Sequence, residues 1–114
     1  MPTLANRIQD TTTTTGTGTI TVSGTPAAGY LAFSTLGTGA VFDYTIQGQT
    51  GSEFEVGRGK MASSTTFTRE QVLASSNSGA AVNFSAGTKD VFVTVAEESM
   101  VSRGRFLAMP YALR

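Results

Sequence analysis

Cysteine, histidine and tryptophan are all absent from the 114 residues of this chain, and proline occurs three times. Without cysteine there is no disulfide framework, no thiolate nucleophile and no thiolate metal ligand. Without histidine the usual general base and the commonest ligand of transition metals are missing. Charge is also scarce. Charged residues make up 14% of the chain, and eight basic residues balance eight acidic ones. Phosphate binding rests on clustered Lys and Arg, so nucleic acid is not expected as the main partner. A polybasic membrane anchor is not expected either. No basic region followed by an apolar run opens the sequence, so no signal peptide is expected. The apolar runs are far shorter than a bilayer span. A near-neutral surface resists association poorly, which suits a protein that works inside an assembly.

What the chain does contain is Gly, Ser and Thr, scattered among short alternating runs. A chain of this length is expected to form one domain. Thr favours strands through its β-branch and Gly punctuates turns. The first 16 residues, MPTLANRIQDTTTTTG, hold an apolar patch at Leu4 and Ile8 and then five threonines. They read as an extended arm or linker. TGTITVSG alternates at Ile20 and Val22 as a half-buried strand. YLAFSTL reads as a strand, and AVFDYTIQG as another with Phe42, Tyr44 and Ile46 on one face. In EFEVGRGKMAS, Phe54 and Val56 fall on one face and Glu53 and Glu55 on the other. Gly57 and Gly59 within it suggest a bulge or close backbone packing. TTFTREQVLASS continues the alternation, with REQVLASS open to a helical turn. AVNF and DVFVTV read as a last hairpin around SAGTK. About seven short strands with no helical pattern between them imply an all-β fold, a small antiparallel β-sandwich or barrel over 17–95.

The expected core is Ile20, Val22, Phe33, Phe42, Ile46, Phe54, Val56, Phe67, Val82, Phe84, Val91, Val93 and Val95. Phe92 falls on the opposite face of its strand, where another layer or subunit would have to cover it. Residues 96–114 break the pattern. They carry Met100, Val101, Phe106, Leu107, Met109, Tyr111 and Leu113, with Arg103, Gly104, Arg105 and Pro110 limiting any helix. These apolar residues cannot all fit one small core. The segment is therefore expected to be a C-terminal arm that places Phe106, Leu107, Met109, Tyr111 and Leu113 on another polypeptide, adding a strand to an open sheet edge. Leu4 and Ile8 of the N-terminal arm, 1–16, are expected to do the same.

Three stretches carry a resemblance: RIQDTTTTTGTGTITVSG, EFEVGRGKMASSTTFTREQVLASSNSG and AVNFSAGTKDVFVTV. They resemble a family of small phage virion modules found alone or at the start of tail-fibre and other tail-associated proteins. The family pattern has an opening threonine run, an E-V-G-x-G strand, an R-x-x-V-L-x-S-S-N turn and an N-F-S-A-G-T-K-D-V-F strand pair. These fall on Glu55 to Gly59, on Arg69 with Val72 to Asn77, and on Asn83 to Phe92. The match spans residues 7 to 95. Phe54 stands at a position where the family often has another aromatic, and the segment from Ala96 onward lies outside the pattern. The resemblance implies a structural virion protein, with other virion proteins and copies of itself as partners. A tail- or neck-associated adaptor that anchors a fibre or a neighbouring ring is the leading expectation. A capsid decoration protein and a host-glycan-binding module are the alternatives.

Chemistry is weighed against simpler readings. Glu53 and Glu55 lie about 7 Å apart along one strand face, a spacing a glycosidase pair could use. No sugar platform accompanies them, and a solvated strand face is the expectation; replacing both by Gln is expected to leave assembly intact. No D-x-D-x-D-G pattern marks a calcium loop. GRGK at 57–60 lacks the spacing of a phosphate loop. No catalytic residue, cofactor site or metal site is therefore expected, and the protein is read as a non-enzyme.

Overall fold

The computed structural model describes residues 5–94. It is all-β, six antiparallel strands forming a nearly closed barrel, as the alternation predicts. In chain order the strands are β1 (Gln9–Thr12), β2 (Ile20–Thr21), β3 (Val41–Gly48), β4 (Phe54–Met61), β5 (Thr66–Ser75) and β6 (Lys89–Thr94). Their order across the sheet is β1-β6-β3-β4-β5-β2. The two end strands approach each other and nearly close the barrel. Thr12 and Val22 form an antiparallel bridge, Ser23 N–H donates to the Thr11 carbonyl at 2.9 Å, and the Thr12 hydroxyl donates to the Thr21 carbonyl at 2.5 Å.

The threonine run that reads as arm thus enters the sheet, where β1 pairs with β6 from Gln9↔Phe92 to Thr12↔Lys89. Ile8 belongs to the chain's own core at 2% exposure. Its carbonyl accepts Val93 N–H at 3.1 Å, so it is not available to a partner. The physical reason is that β6 has an edge beyond β3, and β1 satisfies it.

Two expected strands are replaced by irregular chain. YLAFSTL instead forms a single 3-10 turn, Phe33–Leu36. Gly29 and Gly37 bracket it at φ of 90° and 89°, where a strand cannot continue. AVNF pairs only through the bridge of Phe84 with Gly16, not in a hairpin with β6. REQVLASS, by contrast, is strand from Arg69 to Ser75 within β5, with Ser76 in the turn that follows.

Aromatic rings fill the barrel. Phe33, Phe42, Tyr44 and Phe67 are all buried. Phe33 stacks on Phe67 with centroids 5.8 Å apart, and Phe42 meets Phe67 edge-on at 5.2 Å. Ile20, Val22, Ile46, Val82, Phe84 and Val91 complete the expected part of the core, joined by Ile8, Tyr44 and Met61. Each large apolar side chain so buried contributes about 1.5–3 kcal/mol.

β4 corrects the sequence reading. The alternation is as expected, but the faces are exchanged: Glu55, Gly57, Gly59 and Met61 are buried, Val56 is half-buried and Phe54 is exposed. Val93 is only half-buried, and Val95 lies outside the described residues. The cause is the Tyr44 ring. A Cβ at Gly57 would stand 2.5 Å from the Gln71 carbonyl oxygen and 2.6 Å from the Tyr44 hydroxyl; one at Gly59 would meet Phe67 at 2.9 Å. Only the phase of β4 that carries the two glycines leaves room for Tyr44 and Phe67. At the register shifts between Val56 and Gly57 and between Arg58 and Gly59 the extra residues, Leu73 and Glu70, lie on β5, so β5 is the strand that bulges there.

Gly57→Ala is expected to cost about 1–3 kcal/mol in urea unfolding, as overpacking does. Adding Tyr44→Phe should recover only part of this, because the Gln71 carbonyl still blocks the methyl group. Full recovery would place the whole conflict on the hydroxyl.

Candidate functional site

The resembling blocks meet in space around one buried ion pair. Glu55 points into the barrel from β4, and Arg69 reaches it from β5. Arg69 Nη1 donates to Glu55 Oε1 at 2.9 Å, with the two side chains 3% and 0% exposed. The same Oε1 accepts Val82 N–H at 2.8 Å, and Oε2 accepts the Tyr44 hydroxyl at 2.5 Å. The guanidinium spends its other donors on backbone. Nη1 also donates to the Val82 carbonyl at 3.1 Å, Nη2 to the Gly16 carbonyl at 2.7 Å and Nε to the Gly18 carbonyl at 2.9 Å. Its Cζ lies 5.6 Å from the Phe84 ring centroid.

Burial, and secondly the hydrogen bond to Glu55, push the Tyr44 hydroxyl far above its ordinary value, so it stays a neutral donor. Both carboxylate oxygens are occupied, and neither charged group faces solvent. The arrangement ties β3, β4 and β5 to the 14–18 and 80–84 segments.

Two further ties flank it. Lys89 is 2% exposed, and its ammonium donates to the Thr14 and Gly87 carbonyls, each at 2.9 Å. Desolvation holds its pKa below the usual lysine range. Asp10 on β1 accepts Thr11 N–H at 2.7 Å and Gly24 N–H at 2.9 Å, together with the Ser23 hydroxyl. These bonds hold the chain on either side of the Thr12–Val22 closure.

Glu53 lies outside the cluster. Its two oxygens accept Ser85 N–H at 3.1 Å and the Ser85 hydroxyl at 2.9 Å. It borders a shallow recess of about 290 Å³ with Gly48, Ser52, Gly87 and Lys89. The backbone donor of Ser85 first, and its hydroxyl second, hold the Glu53 carboxyl below the usual range. Glu53 and Glu55 are therefore not a matched catalytic pair. One is half-exposed and bound to a loop, and the other is locked inside. The expectation of a solvated face fails for Glu55.

Of the expected partner-binding residues, Ile8 sits in the core. Leu4, Phe106, Leu107, Met109, Tyr111 and Leu113 lie outside the described residues. Among the described residues no group of three or more Asp and Glu could hold a metal ion, and no helix is long and apolar enough to cross a membrane. Sequence reasoning missed Arg69 and Glu55 as a pair because they lie 14 residues apart on different strands. The one available signal was the phase that Glu55 shares with two glycines.

Glu55→Gln leaves the Arg69 charge buried without its counter-ion and is expected to cost about 3–5 kcal/mol, reversing the expectation that this carboxylate is dispensable. Glu55→Gln with Arg69→Met should be more stable than Glu55→Gln alone; the reverse order would show that the cation is not what the carboxylate serves. A second expectation concerns acid. The folded pKa of Glu53 is depressed below its ordinary 4.5, so its contribution is complete above that value and is lost as pH falls through the folded pKa. Glu53→Gln should therefore lose less melting temperature than the parent between about pH 6 and about pH 3, measured by calorimetry. Equal losses would mean that Ser85 does not hold the carboxylate. No family model, curated protein or solved structure matches this chain.

Proposed function

We propose that this chain is a non-enzymatic structural subunit of a phage virion, a tail- or neck-associated adaptor that anchors a fibre or a neighbouring ring and assembles with copies of itself. The observation that carries the reading is where the resembling residues fall. Glu55, Gly57 and Gly59 of the E-V-G-x-G strand, Arg69 of the following turn block, and Phe84 and Lys89 of the last block all converge on the same buried ties. Phe84 itself lies against both Arg69 and Lys89.

What is distinctive in the sequence is thus a means of closing a small barrel through buried side-chain ties in a chain that has no cysteine. Such a barrel is a mounting block. Its work lies in the surfaces and segments that leave it, above all the 96–114 segment with Phe106, Leu107, Met109, Tyr111 and Leu113.

The test is a density map of the intact particle that carries this protein. Barrel density in rings or at fibre bases on the tail or neck is expected. Density on the capsid lattice would reject the adaptor position and favour decoration. Absence from the particle would reject the virion reading altogether.

A further inference from the structure

The expected way for an arm to dock was by adding a strand to an open sheet edge. Among the described residues the outer edge of β1 is covered, because β1 and β2 are joined at Thr12 and Val22, whereas beyond Phe67 β5 is paired with β4 alone. The barrel also offers an apolar outer face. Phe92 on β6, Thr45 on β3 and Val56 on β4 are neighbours in register. All three belong to the outward phase of their strands and are half-buried. Phe54, one row along and opposite Gln47, is 39% exposed. It borders a recess of about 290 Å³ with Thr45, Gln47, Gly51 and Ser52.

We infer that this face seats the apolar block 106–113 of a second copy of the chain. The inference rests on the assembly reading above and names the partner and the surface.

Direction favours a second copy over the chain's own block. β6 runs from Lys89, opposite Gly48, to Thr94, opposite Asp43, and so leads away from the row that holds Phe54. Eleven residues, 95–105, then separate Thr94 from Phe106. They include Glu97, Glu98, Arg103 and Arg105 beside Met100 and Val101, and have a reach of up to about 36 Å at strand rise. The block itself places Leu107, Met109, Tyr111 and Leu113 at a period of two, so one side of an extended segment is wholly apolar. Charge agrees as well. Arg105 and Arg114 flank the block, while Asp90, in the same outward phase as Phe92, and Glu53 border the face.

The absence of cysteine makes the test direct. Two full-length chains, one carrying Phe54→Cys and the other Tyr111→Cys, are mixed and oxidised, and the self-association of the parent, of Phe92→Asp and of a truncation after Glu98 is measured by sedimentation. Melting temperature confirms that each variant is folded. A crosslink between the two different chains is expected, with self-association weakened at least about tenfold by both Phe92→Asp and the truncation. A chain carrying both cysteines that crosslinks only within itself would overturn the inference, because the block would then cover its own barrel. Self-association that needs the arm but survives Phe92→Asp without the crosslink would also overturn it, while leaving the arm's role in assembly intact. A parent that is monomeric at every concentration would overturn it too. None of these outcomes bears on whether the protein is found in the particle.

Discussion

The buried pair of Glu55 and Arg69 is the constraint around which this barrel is arranged. β2 is only two residues long and pairs with β5 at Phe67 and Thr66 alone. Beyond that point the barrel wall is made by irregular chain, 14–18 and 80–84, whose carbonyls have few strand partners. Arg69 supplies the missing donors: its guanidinium bonds the Gly16, Gly18 and Val82 carbonyls. A cation in that position must be neutralised, because an uncompensated buried charge is costly. Glu55 neutralises it and uses its remaining capacity on Val82 N–H and the Tyr44 hydroxyl. Arginine suits the task where lysine would not, since its fork of fixed donors reaches several acceptors at once.

The inner and outer surfaces of β4 both follow from that pair. With Glu55 pointing inward, Gly57 and Gly59 must point inward too, and their missing side chains make the space that Tyr44 and Phe67 occupy. The opposite phase, Phe54 and Val56, is then turned outward whatever its hydrophobicity. The exposed aromatic is thus a consequence of the buried charge rather than a separate feature. Closure and the exposed position of Phe54 are linked through the two faces of one strand.

How much of this is legible in the residues differs by element. The all-β class, the alternation of β3 and the burial of Phe42, Ile46, Phe67, Phe84 and Val91 follow from the period of two, a local property of the chain. The outward position of Phe92 follows from the same period. The face of β4 does not, because two phases are available and the more apolar one is the wrong choice here. Its correct phase depends on the volume of Tyr44, which lies across the β3–β4 pair at Gly57, and on a cation 14 residues away. Ile8 and the threonines of β1 were equally illegible as sheet, since their partner, β6, lies at the far end of the described chain.

Local chemistry alone therefore settled the strand class, the absence of disulfide and histidine chemistry, and the places where glycine breaks the chain. Each of these depends only on a residue and its near neighbours. The tertiary structure decided which phase of β4 is inside, that the N-terminal threonines are wall rather than arm, and that Glu55 and Arg69 are one unit. Those outcomes depend on contacts between residues remote in sequence, where ring volume and the cost of an unpaired buried charge outweigh the hydrophobicity of any single strand.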